Sequence, residues 1–152
     1  MRREILAGSA SPIVRHAATS VAANVGEWWD WWPRLSALRR WLRGRVPFTP
    51  DPTRVEWIQA AAFTLTNPQA GADCDDLVVA GNALAESIGY ETRVALAGDS
   101  EGPHHVFGLV RFPGYSDWVP VDWGGDAVTG QLPSWPRVWL PRGVTHVDSI
   151  TE

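Results

Sequence analysis

The chain has 152 residues, of which 45% are hydrophobic and 20% are charged, and its formal net charge is -4. This length and composition are typical of one globular domain that buries roughly two thirds of the surface of its unfolded chain. The negative charge argues against a general nucleic-acid-binding protein. The single cysteine cannot form an internal disulfide, and no apolar run is long enough for a secretory signal or a membrane span. We therefore expect a soluble intracellular protein, or one packaged into something made inside a cell.

The N-terminal part of the sequence predicts two helices. Ser11 and Pro12 are typical of a helix start, and we expect this helix to end near Gly26. Its recurring apolar positions are Ile13, Ala17 and Val21. The second helix is predicted after Pro33, with an apolar stripe formed by Leu35, Leu38, Trp41 and Leu42. We interpret the basic side chains around it as a solvated helix face: Arg34, Arg39, Arg40, Arg43 and Arg45.

The rest of the chain predicts one buried helix followed by strands. Three prolines within residues 45–54 indicate an extended connection, residues 55–65 fit a helix or an ordered loop, and residues 66–72 fit a turn. From Leu77 the apolar residues recur on most sides of a helix that ends at Gly89. Short segments rich in valine and aromatic residues predict strands at 92–98, 104–112, 117–123 and 136–141. Helices followed by an antiparallel sheet indicate the α+β class.

Tryptophan is unusually frequent, with ten in the chain. Its side chain buries a large area and is enriched at protein interfaces. One cluster lies between the two predicted N-terminal helices and consists of Trp28, Trp29, Trp31 and Trp32. Two interpretations are open for this cluster: a hydrophobic corner that packs the two helices together, or an exposed patch that docks on a partner.

Cys74 lies at the start of the predicted buried helix and is the candidate nucleophile. A nucleophilic cysteine needs a base, and the base needs a group that orients it. His104 and His105 begin the second predicted strand, and Asp122 ends the third. The interval from His105 to Asp122 fits one strand, a turn and a return, so the two side chains are expected to lie side by side on neighbouring strands.

The segments "ADCDDLVVAGNALAESIGYETR", "HHVF" and "WVPVDW" resemble the transglutaminase-like core of the papain-like cysteine superfamily. They are most similar to the short transglutaminase-like proteins of tailed bacteriophages and prophages. The upstream segment "FTPDPTRVEWIQAAAFTL" is also similar to the one that precedes the cysteine in those proteins, so the resemblance runs from about Arg34 to Trp123. It implies a papain-like fold in which N-terminal helices and a buried central helix pack on a C-terminal antiparallel sheet.

The resemblance also implies roles for individual residues. Cys74 would be the nucleophile, His105 the general base and Asp122 the group that orients the base. The chain departs from the family pattern by a second histidine, His104, and by Gly108 and Trp123, where the family often has a larger residue and a proline. We expect one transglutaminase-like domain over residues 1–152, with N-terminal helices in 1–47, a catalytic-type core in 48–126, and a C-terminal strand and tail in 127–152.

The surroundings of Cys74 suggest further roles. The first turn of a helix presents unpaired N–H groups and a partial positive charge, and the acidic residues placed to cap it are Asp73, Asp75 and Asp76. The backbone N–H of Cys74 is the first candidate to stabilise an oxyanion, and a second donor is expected from the side chain of Gln59 or the indole of Trp57. An alternative is a metal site formed by Asp73, Asp75, Asp76 and His104. We predict none, because the sequence lacks the helical histidine pair or paired cysteines that metals favour.

Two functions of different classes follow from these observations. The first is attack of the Cys74 thiolate on an amide of a peptide, a glutamine side chain or a cell-wall peptide cross-link, with no cofactor. The second is a non-enzymatic phage virion protein of the capsid, neck or tail, which keeps the fold and docks on other phage structural proteins through its tryptophans. In either case we expect the protein in the host cytoplasm or the virion. We expect no nucleic acid among its partners and no membrane-spanning segment in its chain.

Overall fold

The computed structural model describes residues 1–52 and 57–147. Within them the helices are α1 Arg2–Ser9, α2 Pro12–Ala23, α3 Trp31–Arg45, α4 Ala61–Thr66 and α5 Cys74–Ser87. The strands are β1 Glu91–Asp99, β2 Gly102–Arg111, β3 Val119–Val121 and β4 Arg137–Trp139. A short 3-10 turn, Pro68–Ala70, lies between α4 and α5. Parts of the predicted 45–54 connection, of the unclassified 55–65 segment and of the C-terminal tail lie outside the described residues.

The sheet is antiparallel and its strand order is β3-β2-β1-β4. The main core contains α5, the inward residues of the other helices, and side chains of the sheet that include Val106, Val110 and Val121. A smaller apolar cluster that includes Phe107 and Leu109 occupies the alternate positions of β2. This arrangement confirms the predicted α+β class: helices come first in the chain and cover a sheet formed by its second half.

Helix α5 is the centre of the molecule. All residues from Leu77 to Ala85 are buried, as their apolar character on most sides predicts. The helix ends before Gly89, whose φ of 105° is a left-handed conformation that favours glycine. Because α5 contacts both the N-terminal helices and the sheet, its first turn is held in a fixed position relative to the strands.

Two features of the N-terminal helices differ from the sequence prediction. Helix α1 was not predicted, and it is present because Ile5 is buried and Gly8 lies against α4 and α5. A Cβ at Gly8 would lie 2.8 Å from the Cβ of Ala61, so only glycine permits this close approach. Helix α2 has the predicted extent, but its buried positions are Val14, Ala18 and Ala22 rather than Ile13, Ala17 and Val21. The predicted stripe instead lines an open groove of about 580 Å³ between α2, α3 and α4.

The tryptophan cluster divides into an inner and an outer half. Trp31 and Trp32 pack against the core, with Trp31 at 5.4 Å from Tyr90 and Trp32 at 6.2 Å from Phe112, measured between ring centroids. Trp28 and Trp29 contact each other edge-on and remain 65% and 55% exposed. The inner pair therefore joins α3 to the sheet, and the outer pair remains a candidate docking patch.

The two departures from the family pattern at Gly108 and Trp123 compensate each other. Trp123 is fully buried, and its indole covers the positions where Gly81 of α5 and Gly108 of β2 lack a side chain. The indole N–H donates to Oδ1 of the buried Asn82 at 2.8 Å, and Nδ2 of Asn82 donates to the carbonyl of Arg93 at 3.1 Å. One large ring thus fills the space that the two glycines leave between α5 and the sheet.

No helix in the described part of the chain combines the length and the apolar character that crossing a membrane requires.

Candidate active site

Helix α5 begins at Cys74 and is capped by a reciprocal pair of carboxylates. Asp73 is the N-cap: its Oδ1 accepts the backbone N–H of Asp76 at 3.1 Å, and Oδ2 of Asp76 accepts the backbone N–H of Asp73 at 3.2 Å. This capping box satisfies N–H groups that the first turn of a helix leaves unpaired. Asp75 lies in the same turn. The aspartates around Cys74 thus fix the start of the helix, and with it the position of the thiol.

The second component is an ion pair between neighbouring strands. His105 lies near the start of β2, and Asp122 directly follows β3. Nε2 of His105 is 2.7 Å from Oδ1 of Asp122, and the carboxylate is buried while the imidazole is 14% exposed. Because Asp122 occupies Nε2, the other ring nitrogen, Nδ1, is left for a different partner.

Cys74 is a second neighbour of the His105 ring. The bond to Asp122 and then a hydrogen bond with Cys74 raise the pKa of His105 to about 9, although burial of the ring opposes the rise. At neutral pH the ring therefore carries its proton. Cys74 is itself half-buried. An imidazolium beside a thiol favours the thiolate. The structure thus brings His105 against Asp122, and Cys74 is near enough to the ring to raise its pKa.

A buried arginine, Arg39, supports the segment that carries Asp122. Its Nε donates to the carbonyl of Asp122 at 2.9 Å, and its second guanidinium nitrogen donates to the carbonyl of Gly125 at 3.2 Å. The backbone N–H of Gly125 in turn donates to Oδ1 of Asp122 at 2.8 Å. Burial and the charge of Arg43 lower the pKa of Arg39, and Asp122 opposes this. The interpretation of Arg39 as part of a solvated face is wrong, because its side chain is only 8% exposed.

The acidic residues near Cys74 form a compact cluster. Carboxylate oxygens of Asp51, Asp73 and Asp76 lie within 4.8 Å of one another. Burial, and then the charges of the neighbouring carboxylates, raise the pKa of Asp73 to about 6, and burial also raises the pKa of Asp76. The cluster binds backbone N–H groups of the preceding segment, since Asp51 accepts from Trp57 at 2.9 Å and Asp76 accepts from Gln59 at 2.7 Å.

The two predicted oxyanion donors lie in that segment. Nε2 of Gln59 donates to the carbonyl of Gly71 at 3.1 Å, and Oε1 accepts from Thr64 at 2.9 Å. The carboxamide is therefore held beside the start of α5, with one of its two N–H bonds committed to Gly71. The indole of Trp57 is 67% exposed. The roles of both residues as oxyanion donors stay predictions.

His104 lies apart from the aspartates of α5. Its Nε2 is 3.0 Å from Oδ1 of Asp99, across the turn between β1 and β2, and its ring stacks on Trp135 with 5.5 Å between ring centroids. The structure therefore does not bring His104 to Asp73, Asp75 or Asp76. Of the two adjacent histidines, it is His105 that contacts Asp122.

Comparison with known proteins yields a likeness in fold. No family model and no curated protein matches the chain. Among solved structures, the chain resembles "a Putative Cysteine Protease from Cytophaga hutchinsonii" with a TM-score of 0.53 and 17% sequence identity. The match covers 72% of this chain and 36% of the neighbour, so the chain corresponds to about a third of that protein's length. Together with the helices and the four-stranded sheet, this likeness establishes an α+β papain-like fold.

Proposed function

We propose that the chain is a cysteine-dependent enzyme that transfers or hydrolyses acyl groups of amides. The observation that carries the proposal is the position of His105, whose Nε2 lies 2.7 Å from Oδ1 of Asp122 and whose pKa is raised by Asp122 and then by Cys74. The resemblance of the sequence to transglutaminase-like proteins and the likeness in fold to a structure named as a cysteine protease support the same chemistry. A peptide bond, a glutamine side chain or a cell-wall peptide cross-link is a suitable substrate.

The mechanism uses three side chains. The Cys74 thiolate attacks the amide carbon, and the carbonyl oxygen becomes an oxyanion that the Cys74 backbone N–H at the start of α5 is placed to stabilise. The C–N bond then breaks as the His105 imidazolium gives its proton to the leaving amine, which leaves a thioester on Cys74. Water or a second amine attacks the thioester and gives a proton to His105, and the thiolate departs. Asp122 keeps the ring oriented throughout.

Alkylation of the single cysteine tests this proposal directly, because any label on a thiol reports on Cys74 alone. We expect iodoacetamide to react rapidly with the native protein at pH 6–7, well below the range near pH 8.5 in which an ordinary thiol ionises. His105→Ala should remove this reactivity at low pH, and Asp122→Asn should reduce it. Mass spectrometry of the product as a function of pH and time provides the measurement.

His104→Ala is the matched control, because it removes the adjacent histidine that contacts Asp99 instead of Asp122. This variant should keep the wild-type pH profile. Equal alkylation rates at pH 6.5 for the wild type and His105→Ala would contradict the proposed function.

A non-enzymatic role in a phage virion is the second candidate, and the exposed Trp28 and Trp29 are the feature that favours it. The association with phage comes from the sequence resemblance alone. In this role the protein would copurify with virions. Cys74 would have no catalytic role, so its alkylation would have the pH dependence of an ordinary thiol.

A further inference from the structure

A cleft of about 450 Å³ is lined in part by His105 and Asp122, and the mechanism above assigns no role to its other lining residues. Its floor is formed by His105, Asp122, Gly124 and Gly125, and its aromatic lining consists of Phe48 and Trp135. A Cβ on Gly124 would lie 3.3 Å from Cα of Cys74. Gly124 therefore joins the lining of the cleft to the start of α5, where Leu77 Cδ1 at 3.2 Å is its other neighbour.

The position of His105 identifies which part of a substrate the cleft faces. The imidazolium must give its proton to the leaving amine, so that amine has to lie on the side of the thiol where the ring is. Because the same ring lines the cleft, the group attached to the leaving nitrogen would extend into it. In the second half of the reaction, the attacking water or amine would occupy the same place.

The two aromatic side chains are each held by a neighbouring contact and remain partly exposed to solvent. Phe48 is 56% exposed although its backbone neighbours pair with the residue two before Cys74: Thr49 N–H donates to the carbonyl of Ala72 at 2.8 Å, and Ala72 N–H donates to that of Pro47 at 3.1 Å. Trp135 is 38% exposed and stacks on His104. Positioned aromatic rings with open faces are typical of pockets that bind apolar groups.

The ionisable groups that line this cleft are already paired. His105 binds Asp122, and Asp126 lies 3.5 Å from Arg43. Asp126 is fully exposed, so the lining offers no buried unpaired charge to recognise a charged substituent.

We propose, on the basis of the function proposed above, that Phe48 and Trp135 select substrates with an apolar side chain on the leaving-group side of the scissile amide. The two residues are thus determinants of specificity. Their removal should change which substrate reacts.

Chloroacetamides test this inference because Cys74 forms a sulfur–carbon bond with their methylene carbon as chloride leaves, and the substituent on nitrogen occupies the leaving-group side. The probes are chloroacetamide itself and its N-benzyl, N-(4-carboxybutyl) and N-(4-aminobutyl) derivatives. We expect the wild type to react with the benzyl compound roughly tenfold faster than with either charged compound. Phe48→Ala and Trp135→Ala should lose most of this preference, measured as the rate with the benzyl compound relative to the rates with the two charged compounds.

Trp139→Ala is the matched control, because Trp139 is 36% exposed and lies on β4 outside the lining of the cleft. It should keep the preference for the benzyl compound. If the wild type has no such preference, or if both cleft variants retain it, this inference is overturned while the proposed function stands. If His105→Ala reacts with chloroacetamide itself as fast as the wild type does, the proposed function and this inference are overturned together.

Discussion

Cys74 lies between opposing electrostatic influences. The start of α5 and the imidazolium of His105 favour a negative charge on the sulfur. The carboxylates of Asp51, Asp73 and Asp76, gathered next to the same turn, oppose it. The bond to Asp122, and then Cys74, raise the pKa of His105 to about 9, so the ring can offer a positive charge next to Cys74 at neutral pH.

The cost of the acidic cluster can be followed through Asp73. Its folded-state pKa of about 6 lies above the ordinary value of 3.8, so the folded protein holds this proton more tightly than the unfolded chain. The corresponding stability is present below pH 4 and is lost as the pH rises through 6. Asp73 therefore caps α5 while its charge destabilises the folded state at neutral pH.

Asp73→Asn should remove this cost and keep the cap, because asparagine is as good an N-cap as aspartate. Relative to the wild type, the variant should have a higher unfolding free energy at pH 7.5 than at pH 4. We expect this advantage to grow by on the order of 1–3 kcal/mol between the two pH values. Urea denaturation at the two pH values measures this gain. Asp117→Asn, an exposed aspartate before β3, is the control, and a gain for Asp73→Asn that is the same at both pH values would contradict the prediction.

At the scale of elements, the sequence predicts the helices and strands whose pattern of apolar residues matches their burial. Helix α5 is apolar on most sides and is buried on most sides. Each of the strands β1 to β4 overlaps a predicted valine-rich segment, and β1 and β2 begin one and two residues before theirs. Helix α1 has few apolar residues and forms because Ile5 and Gly8 fit against α4 and α5. Such a helix depends on tertiary contacts that no local pattern contains.

The contact of α5 with the sheet depends on the size of Trp123. A Cβ at Gly81 would lie 2.0 Å from the indole carbon Cδ2, and one at Gly108 would lie 2.5 Å from the indole nitrogen. The sequence alone does not show how Gly108 or Trp123, each considered separately, affects the packing of α5 on the sheet. The two positions together form a matched pair, and this match becomes visible only when the helix and the strands are packed.

Gly81→Ala should destabilise the protein by roughly 2–3 kcal/mol, because the new methyl group has to displace the fully buried indole. In a helix without such a neighbour, the same change is favourable by roughly 0.5–1 kcal/mol. Gly44→Ala in α3 is the matched control, since nothing lies within 4 Å of its Cβ position, and it should stabilise the protein. Thermal and urea denaturation measure the stability of both variants. Equal changes in stability would show that the Trp123 indole moves aside without destabilising the protein.

At the scale of the whole molecule, the candidate site joins the N-terminal helices to the sheet. The interval between His105 and Asp122 predicts that these two lie side by side on neighbouring strands, and their hydrogen bond confirms it. The roles of Cys74, His105 and Asp122 are implied by the sequence resemblance and not by spacing alone. Arg39 was missed because charged side chains are usually assigned to the surface. Its place on the same helical stripe as Leu35 and Leu42, four residues after one and three before the other, was the signal. A buried guanidinium needs several acceptors, and only the folded chain provides the carbonyls of Asp122 and Gly125.

Arg39→Met tests whether this arginine positions Asp122 or supports the fold alone. Methionine fills much of the space but leaves two carbonyls without their donor, so we expect a loss of roughly 2–4 kcal/mol in unfolding free energy. If Arg39 positions Asp122, the pH profile of Cys74 alkylation should also move towards that of His105→Ala under conditions where the variant is folded. Arg40→Met, at an exposed neighbouring arginine, should change neither quantity. A loss of stability with an unchanged pH profile would show that Arg39 supports only the fold.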